Sequence, residues 1–188
     1  ALGARVRRTI YFPPTDMDCS STCCMALRLF HELYYMAHHE NLGSIEERGI
    51  LSHSLVELAG VQHVDISEPG AQQWRALSEP VFGAAIHAYV PLYFNPRNPM
   101  LFVRRHQQHD LVVLRVSLNA VKTAGQALFT DGNAACRSTR FSTGLEVVNA
   151  AAPVLGASYW NDFVDGRRMR CAEALVLNRV APHFIEGV

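Results

Sequence analysis

A chain of 188 residues, 49% hydrophobic and 18% charged, is long enough for one domain with a real core and leaves little room for a second. That composition excludes a disordered chain, and no apolar run approaches the roughly 18 residues that a membrane-spanning helix requires. Lys+Arg and Asp+Glu each number 17, for a formal net charge of zero, so any nucleic-acid site has to be a local patch rather than a general cationic surface.

Residues 1–25 carry a basic start (Arg5, Arg7, Arg8), then Pro13–Pro14 and a Ser/Cys cluster, and read as an N-terminal extension to a domain covering 26–188. From Leu27 the apolar spacing is mixed, with a strand expected near Leu33–Met36. Glu40–Arg48 places Leu42 and Ile45 on one helical face, and Gly49 follows where a left-handed residue stops a helix. Residues 52–84 are loop-like, and a loop that long in a small domain is functional or disordered. Val90–Phe94 is a short strand ended by the Pro96 and Pro99 turn. Leu111–Leu118 is strongly β-prone and reads as a central strand. Asn119–Ala124 suggests a short helix stopped by Gly125, and Ala127–Thr130 another strand. Ala150–Gly166 is again loop-like, Cys171–Val180 reads as a strand, and Pro182 opens a last helical turn. Many short strands, few helices and long loops imply an α+β domain.

Lys122 is the only lysine, so nearly all cations are arginines. Arginine offers a planar fork for phosphate and a face for stacking on bases, although GC-rich coding produces the same bias. The five cysteines (Cys19, Cys23, Cys24, Cys136, Cys171) form no C-x-x-C pair and have no partners at zinc spacing. Reduced thiols, no metal and a cytoplasmic location are therefore expected, and no signal-peptide pattern opens the chain.

Several residues could carry chemistry. Glu173 lies inside the apolar run Ala172–Leu177, where an ionised carboxylate is costly unless paired; it is either the polar-facing residue of a half-exposed strand or a functional acid. His38 and His39 precede a helix, Arg75 stands in the loop-like region, and Asp131-Gly132-Asn133 is an ordinary turn signal. Each of these alone is equally a surface residue.

Their order along the chain carries more. Tyr34-Tyr35-Met36-Ala37-His38-His39-Glu40-Asn41-Leu42, then Ile45 and Gly49-Ile50-Leu51, resembles the opening pattern of the DarT toxin family. Ala71-Gln72-Gln73-Trp74-Arg75 is similar to a family stretch ending in Arg-Arg. The most specific segment, Tyr89-Val90-Pro91-Leu92-Tyr93-Phe94-Asn95-Pro96-Arg97-Asn98-Pro99-Met100-Leu101, is close to the family's Val-Pro-Phe-Tyr-Phe and Pro-Arg-Ser-Pro-Met-Leu signature. Thr130–Ala135, Thr139-Arg140-Phe141, Trp160 and Arg170-Cys171-Ala172-Glu173-Ala174-Leu175-Val176 complete the match.

The resemblance implies an ADP-ribosyltransferase-like fold: a central, mostly antiparallel split β-sheet with short helices. It implies NAD+ as co-substrate and single-stranded DNA as acceptor, with thymine or guanine the modified base. It also implies a toxin of a toxin–antitoxin system, acting as a monomer and opposed by an ADP-ribosyl hydrolase antitoxin. Glu173 matches the catalytic glutamate, whose carboxylate steers the oxocarbenium-like ribose left by nicotinamide. Arg75 matches an arginine of the NAD+ site, where its fork suits the pyrophosphate. Tyr35, Ala37, His38 and Tyr93 fall at the same pocket, Arg97 and Met100 face the target base and strand, and Arg140 is placed to contact a phosphate. The chain departs from the family at Tyr35 and Ala37, where the pattern has His and Thr, and at Trp74, the first of the paired arginines. Asn133 stands where some members have a catalytic His. These departures leave open a degenerate NAD+-binding or nucleic-acid-binding module, or an enzyme whose acceptor is RNA or protein.

Overall fold

The computed structural model describes Phe30 and residues 32–188; the expected extension 1–25 and Cys19, Cys23 and Cys24 lie outside the described residues. Seven strands form one sheet in the order β6-β5-β7-β3-β1-β4-β9: β1 (Glu32–His38), β3 (Tyr89–Tyr93), β4 (Leu111–Ser117), β5 (Ala127–Thr130), β6 (Phe141–Ser142), β7 (Glu173–Leu177) and β9 (Ile185–Gly187). Each of its pairings is antiparallel. These are the Val-, Leu-, Tyr- and Phe-rich runs that suit a pleated surface.

The pairing is uneven, and the unevenness positions the site. β1 and β4 are in register along their whole length, from Glu32↔Ser117 to His38↔Leu111. β3 and β7 pair from Tyr89↔Leu177 to Tyr93↔Glu173. Between these two halves, β1 and β3 meet only at Tyr34↔Tyr93. The sheet therefore parts beyond that one contact, and the split opens beside Glu173. Alternation sends Val90, Leu92, Ala174 and Val176 into the main core, together with Leu33, Val112, Leu114 and Val116. Tyr89, Leu128 and Leu175 go to a smaller cluster on the opposite face, with Ile86 and Ala134. Glu173, two residues from Leu175, shares that second face.

The helix after β1 begins as a 3-10 turn at His39–Asn41 and continues as α1 (Leu42–Arg48). Gly49 ends it at φ +80°, and a Cβ there would lie 2.1 Å from the Val180 carbonyl oxygen, so glycine is required both for conformation and for contact. The chain then enters β2 (Ile50–Leu51), which pairs with β8 (Arg179–Val180) in a separate two-stranded sheet. The strand expected over Cys171–Val180 is thus two strands. Asn178 at φ +64° turns the chain between them, a conformation that asparagine tolerates better than most residues.

The loop-like reading of 52–84 is corrected. The segment contains α2 (His53–Ala59), capped by the Ser52 side chain accepting from Leu55 N–H, and α3 (Pro69–Arg75), capped by Glu68 accepting from Ala71 N–H with Pro69 in its first turn. Both are seven residues long, too short for an apolar period to register, and the caps supply the start signals. Arg75 is the last residue of a helix rather than part of a loop. The Pro99 turn likewise starts α4 (Pro99–Val103), capped by Asn98. Within 150–166, α6 (Ala152–Gly156) and a 3-10 turn at Trp160–Asp162 replace the expected loop. The short helix expected at Asn119–Ala124 is α5 (Asn119–Lys122), and α7 (Gly166–Met169) leads into β7.

Candidate active site

Glu173 opens β7 and is fully buried, with 0% of its surface exposed. A carboxylate in such a place needs partners, and it has two. The Nη2 of Arg75 lies 2.7 Å from both of its oxygens, and the backbone N–H of Ala134 donates to Oε1 at 3.1 Å. The main chain is held as well. Glu173 N–H donates to the Thr130 hydroxyl at 3.0 Å, and that hydroxyl donates to the Gly132 carbonyl at 2.7 Å. The carboxylate is thereby fixed from the end of α3, from the turn after β5 and from β5 itself.

The turn 131–140 is a small buried polar assembly. Asp131, only 2% exposed, accepts from Arg140 N–H (2.9 Å), Arg140 Nε (2.8 Å) and Arg168 Nη1 (2.8 Å). Arg168 also reaches Asp165 and Thr139. Burial opposes the charge on Asp131, but the hydrogen bonds from Arg140 and Arg168 outweigh it and hold the carboxyl below its ordinary range. The Asn133 side-chain oxygen accepts from Ala135 N–H at 2.9 Å, and its carbonyl accepts from Thr139 at 2.6 Å. Asn133 therefore shapes the turn that presents Ala134 N–H to Glu173.

Tyr93 faces Glu173 across β3 and β7, and Tyr34 across the single β1–β3 pairing beside the split. Burial first, and then the Glu173 carboxylate, push its phenol far above the ordinary tyrosine range, with Arg75 pulling the other way. Tyr35 packs against the main core, and burial, followed by Asp65, pushes its phenol up to about 12, again opposed by Arg75. Cys171 is pushed up to about 12 by burial and then by Glu173. Burial lowers the affinity of Arg75 for its proton, but Glu173, then Tyr93, more than restore it. Four expected residues, Glu173, Arg75, Tyr93 and Tyr35, thus form one electrostatic cluster at the split.

Ala37 is buried in β1. His38 ends β1, and its Nδ1 accepts from Glu40 N–H at 3.3 Å. The His38 ring stacks on His39 at 4.7 Å, and His38, His39 and Glu40 bring ligand atoms within 4.8 Å of one another, a donor set able to hold a cation. Met100 is half-buried on α4, Arg97 is exposed just before it, and Arg140 is exposed while tied to Asp131.

Other residues of the site were not singled out by their sequence. Arg170, 2% exposed, donates to the carbonyls of Arg97 (2.7 Å), Val154, Leu155 (3.2 Å) and Ala157 (2.8 Å), and so locks the Arg97–Met100 segment to the start of β7. Asn41 exchanges two 2.9 Å hydrogen bonds with the backbone of Val64 and pins the segment that carries Asp65 near Tyr35. Thr130 and Ala134 act through a hydroxyl and a backbone N–H, which composition does not reveal.

Comparison with known proteins converges on one group. Residues 34–188 match the family model described as ssDNA thymidine ADP-ribosyltransferase, DarT. The chain is 32% identical over 164 residues to a DNA ADP-ribosyl transferase–DNA ADP-ribosyl glycohydrolase fusion protein of Thermosipho africanus, covering 85% of this chain but only 42% of that protein. It is 32% identical over 168 residues to a DNA ADP-ribosyl transferase of Thermus sp., covering 83% of this chain and 79% of the relative. Among solved structures, Thermosipho africanus DarTG in complex with ADP-ribose superposes with a TM-score of 0.75 at 30% identity, over 83% of this chain and 43% of that one. Thermus sp. 2.9 DarT in complex with ADP-ribosylated ssDNA gives 0.73 at 28% identity, over 83% and 79%. The same Thermus protein has been solved in complex with NAD+, with a TM-score of 0.69 over the same shares of the two chains.

Proposed function

The chain belongs to the DarT family, and from that membership we propose that it transfers ADP-ribose from NAD+ to a base in single-stranded DNA, releasing nicotinamide. The carrying observation is that Arg75 and Glu173, the two residues that match the family's NAD+-site arginine and catalytic glutamate, meet in one ion pair beside the sheet split. The glycosidic bond between the nicotinamide nitrogen and ribose C1′ breaks, and its electron pair leaves with nicotinamide. A nucleophilic atom of the base then bonds to C1′, and its proton passes to the Glu173 carboxylate or to water. Thymine is the base that the family model names; guanine is the other candidate.

In this reading Arg75 gives way as the donor enters, and the Glu173 carboxylate so uncovered, still held by Ala134 N–H, meets the electron-poor ribose and anchors a ribose hydroxyl. Tyr35, Ala37, His38 and Tyr93 line the donor side. Arg75 serves the donor with whichever of its five N–H groups are not committed to Glu173; the pyrophosphate is its assigned partner. Asn133 has no titratable proton, so its role is positioning: it shapes the turn behind Ala134. Arg97, Met100 and Arg140 line the acceptor strand. Among the described residues no helix is long and apolar enough to cross a membrane; NAD+ and DNA as the proposed substrates support a cytoplasmic location. A covalently linked glycohydrolase in the Thermosipho relative supports a toxin role with an ADP-ribosyl hydrolase as antitoxin.

The test is incubation with labelled NAD+ and panels of single-stranded DNA, RNA and protein. Label on DNA, absent with Glu173→Ala, is expected, and nucleoside mass analysis then names the base. Binding of NAD+ without transfer to any acceptor would sink the proposal; label on RNA or protein alone would reassign the acceptor.

A further inference from the structure

The two segments that grip Glu173 meet a second time. Trp74 directly precedes Arg75 on α3, and Arg137 follows Ala134 by three residues in the turn after β5. The Arg137 guanidinium carbon lies 4.9 Å above the centre of the Trp74 ring. Unlike the buried Glu173, this pair faces solvent: Trp74 is 39% exposed and Arg137 is exposed. Among the described residues no carboxylate forms an ion pair with Arg137.

An exposed indole covered by an arginine that has no acidic partner has the two chemistries that a nucleic-acid strand presents. The indole offers a stacking face for a base, and the guanidinium offers a fork for phosphate. We propose that Trp74 stacks a base of the acceptor strand beside the modified one, and that Arg137 covers the indole until that base arrives and then turns to the strand's phosphate. Both cannot share one face of the ring, because a base inserted between them would need about 7 Å, twice the ~3.4 Å stacking rise. Trp74 also stands where the family pattern has the first of two arginines, so this chain has an aromatic face where that pattern has a cation. A protein with zero formal net charge has little general electrostatic attraction for DNA, and stacking supplies affinity that salt does not screen.

The inference rests on single-stranded DNA being the acceptor, and two measurements separate its failure from the failure of that reading. The first is steady-state transfer with Trp74→Ala and Trp74→Phe, varying the oligonucleotide and NAD+ separately. Trp74→Ala should raise KM for the oligonucleotide about tenfold, the size of one lost base stack, leave KM for NAD+ within about twofold, and recover largely in Trp74→Phe. The second needs no turnover. The chain has two tryptophans, Trp74 and Trp160, so a thymidine oligonucleotide should quench fluorescence in wild type and in Trp160→Phe but not in Trp74→Phe. An oligonucleotide KM unchanged in Trp74→Ala, equal losses for both substrates, or no Trp74-dependent quenching each overturns the stacking role. A wild type that transfers to no DNA overturns the acceptor reading instead, while the quenching still decides whether Trp74 stacks on bases.

Discussion

Asp131→Asn removes one charge and changes no shape, so it isolates what the polar turn contributes. Of the two arginines on Asp131, Arg140 is 65% exposed and Arg168 only 9%. The exposed pair is worth at most about 1 kcal/mol. The buried one dominates: breaking such a pair costs about 3–5 kcal/mol, reduced here because Arg168 keeps Asp165 at 2.6 Å. The amide nitrogen of asparagine would also oppose one of the N–H donors. A loss of about 3 kcal/mol follows, which in a domain this size lowers Tm by roughly 6–12 °C. The pH dependence is a stricter check. The folded carboxyl is held below its ordinary 3.8, so its stabilisation is fully present above about pH 4 and is lost as the pH falls through the folded value. Thermal or denaturant melts of both proteins should therefore show a constant gap from pH 5 to 8 that closes as the medium becomes more acidic than pH 4. Because the same turn presents Ala134 to Glu173, transfer should fall as well. Equal stability at neutral pH, or a gap that widens in acid, would refute the reasoning.

Thr130→Val keeps the shape but removes the hydroxyl that holds Glu173 N–H; a loss of about 1–3 kcal/mol and a lower kcat with little change in either KM are expected in melts and kinetics. Arg75→Ala should raise the NAD+ requirement more than the DNA requirement and depress kcat, and equal losses of affinity for both substrates would count against its donor-side role. Gly49→Ala places a Cβ against Val180 at a positive φ, so strain of at least about 1–3 kcal/mol should appear in melts, while activity well below Tm is retained. Tyr35, pushed up to about 12, and Tyr93, pushed higher still, should remain protonated in a spectrophotometric titration through pH 10.5; normal titration of either would show that the cluster at the split is open to water.

What the sequence disclosed depended on how each feature is encoded. Long β-prone runs such as Leu111–Ser117 declared themselves, and the matches at Ala71–Arg75 and Arg170–Val176 led to Arg75 and Glu173. The seven-residue helices α2 and α3 did not, because two turns hold too few apolar positions; only Ser52 and the Glu68–Pro69 pair marked their starts. The break at Asn178 was hidden inside Cys171–Val180, which reads as a single strand. Asp131-Gly132-Asn133 was legible as a turn, but its function was not. Its contribution is a backbone N–H aimed at an acid 39 residues away, and no side chain advertises that. Neither could spacing show that Trp74 and Arg137 would meet.

The Arg75–Glu173 pair itself is poorly explained by stability. A buried ion pair returns little over a well-packed apolar pair and often less, because both charges are taken from water. The chain nonetheless builds much around this one. Thr130 fixes its main chain, Ala134 supplies a second donor, and Asp131 with Arg140 and Arg168 fixes the turn that carries Ala134. The sheet gives up β1–β3 pairing beyond Tyr34↔Tyr93 at the same place, sacrificing ladder hydrogen bonds that a continuous sheet would keep. An interrupted sheet seam, a desolvated charge and a polar turn on one residue are each costly, and they coincide at Glu173. That concentration of costs is what a preorganised transfer site requires, and it supports the proposal that the pair serves chemistry rather than holding the fold together.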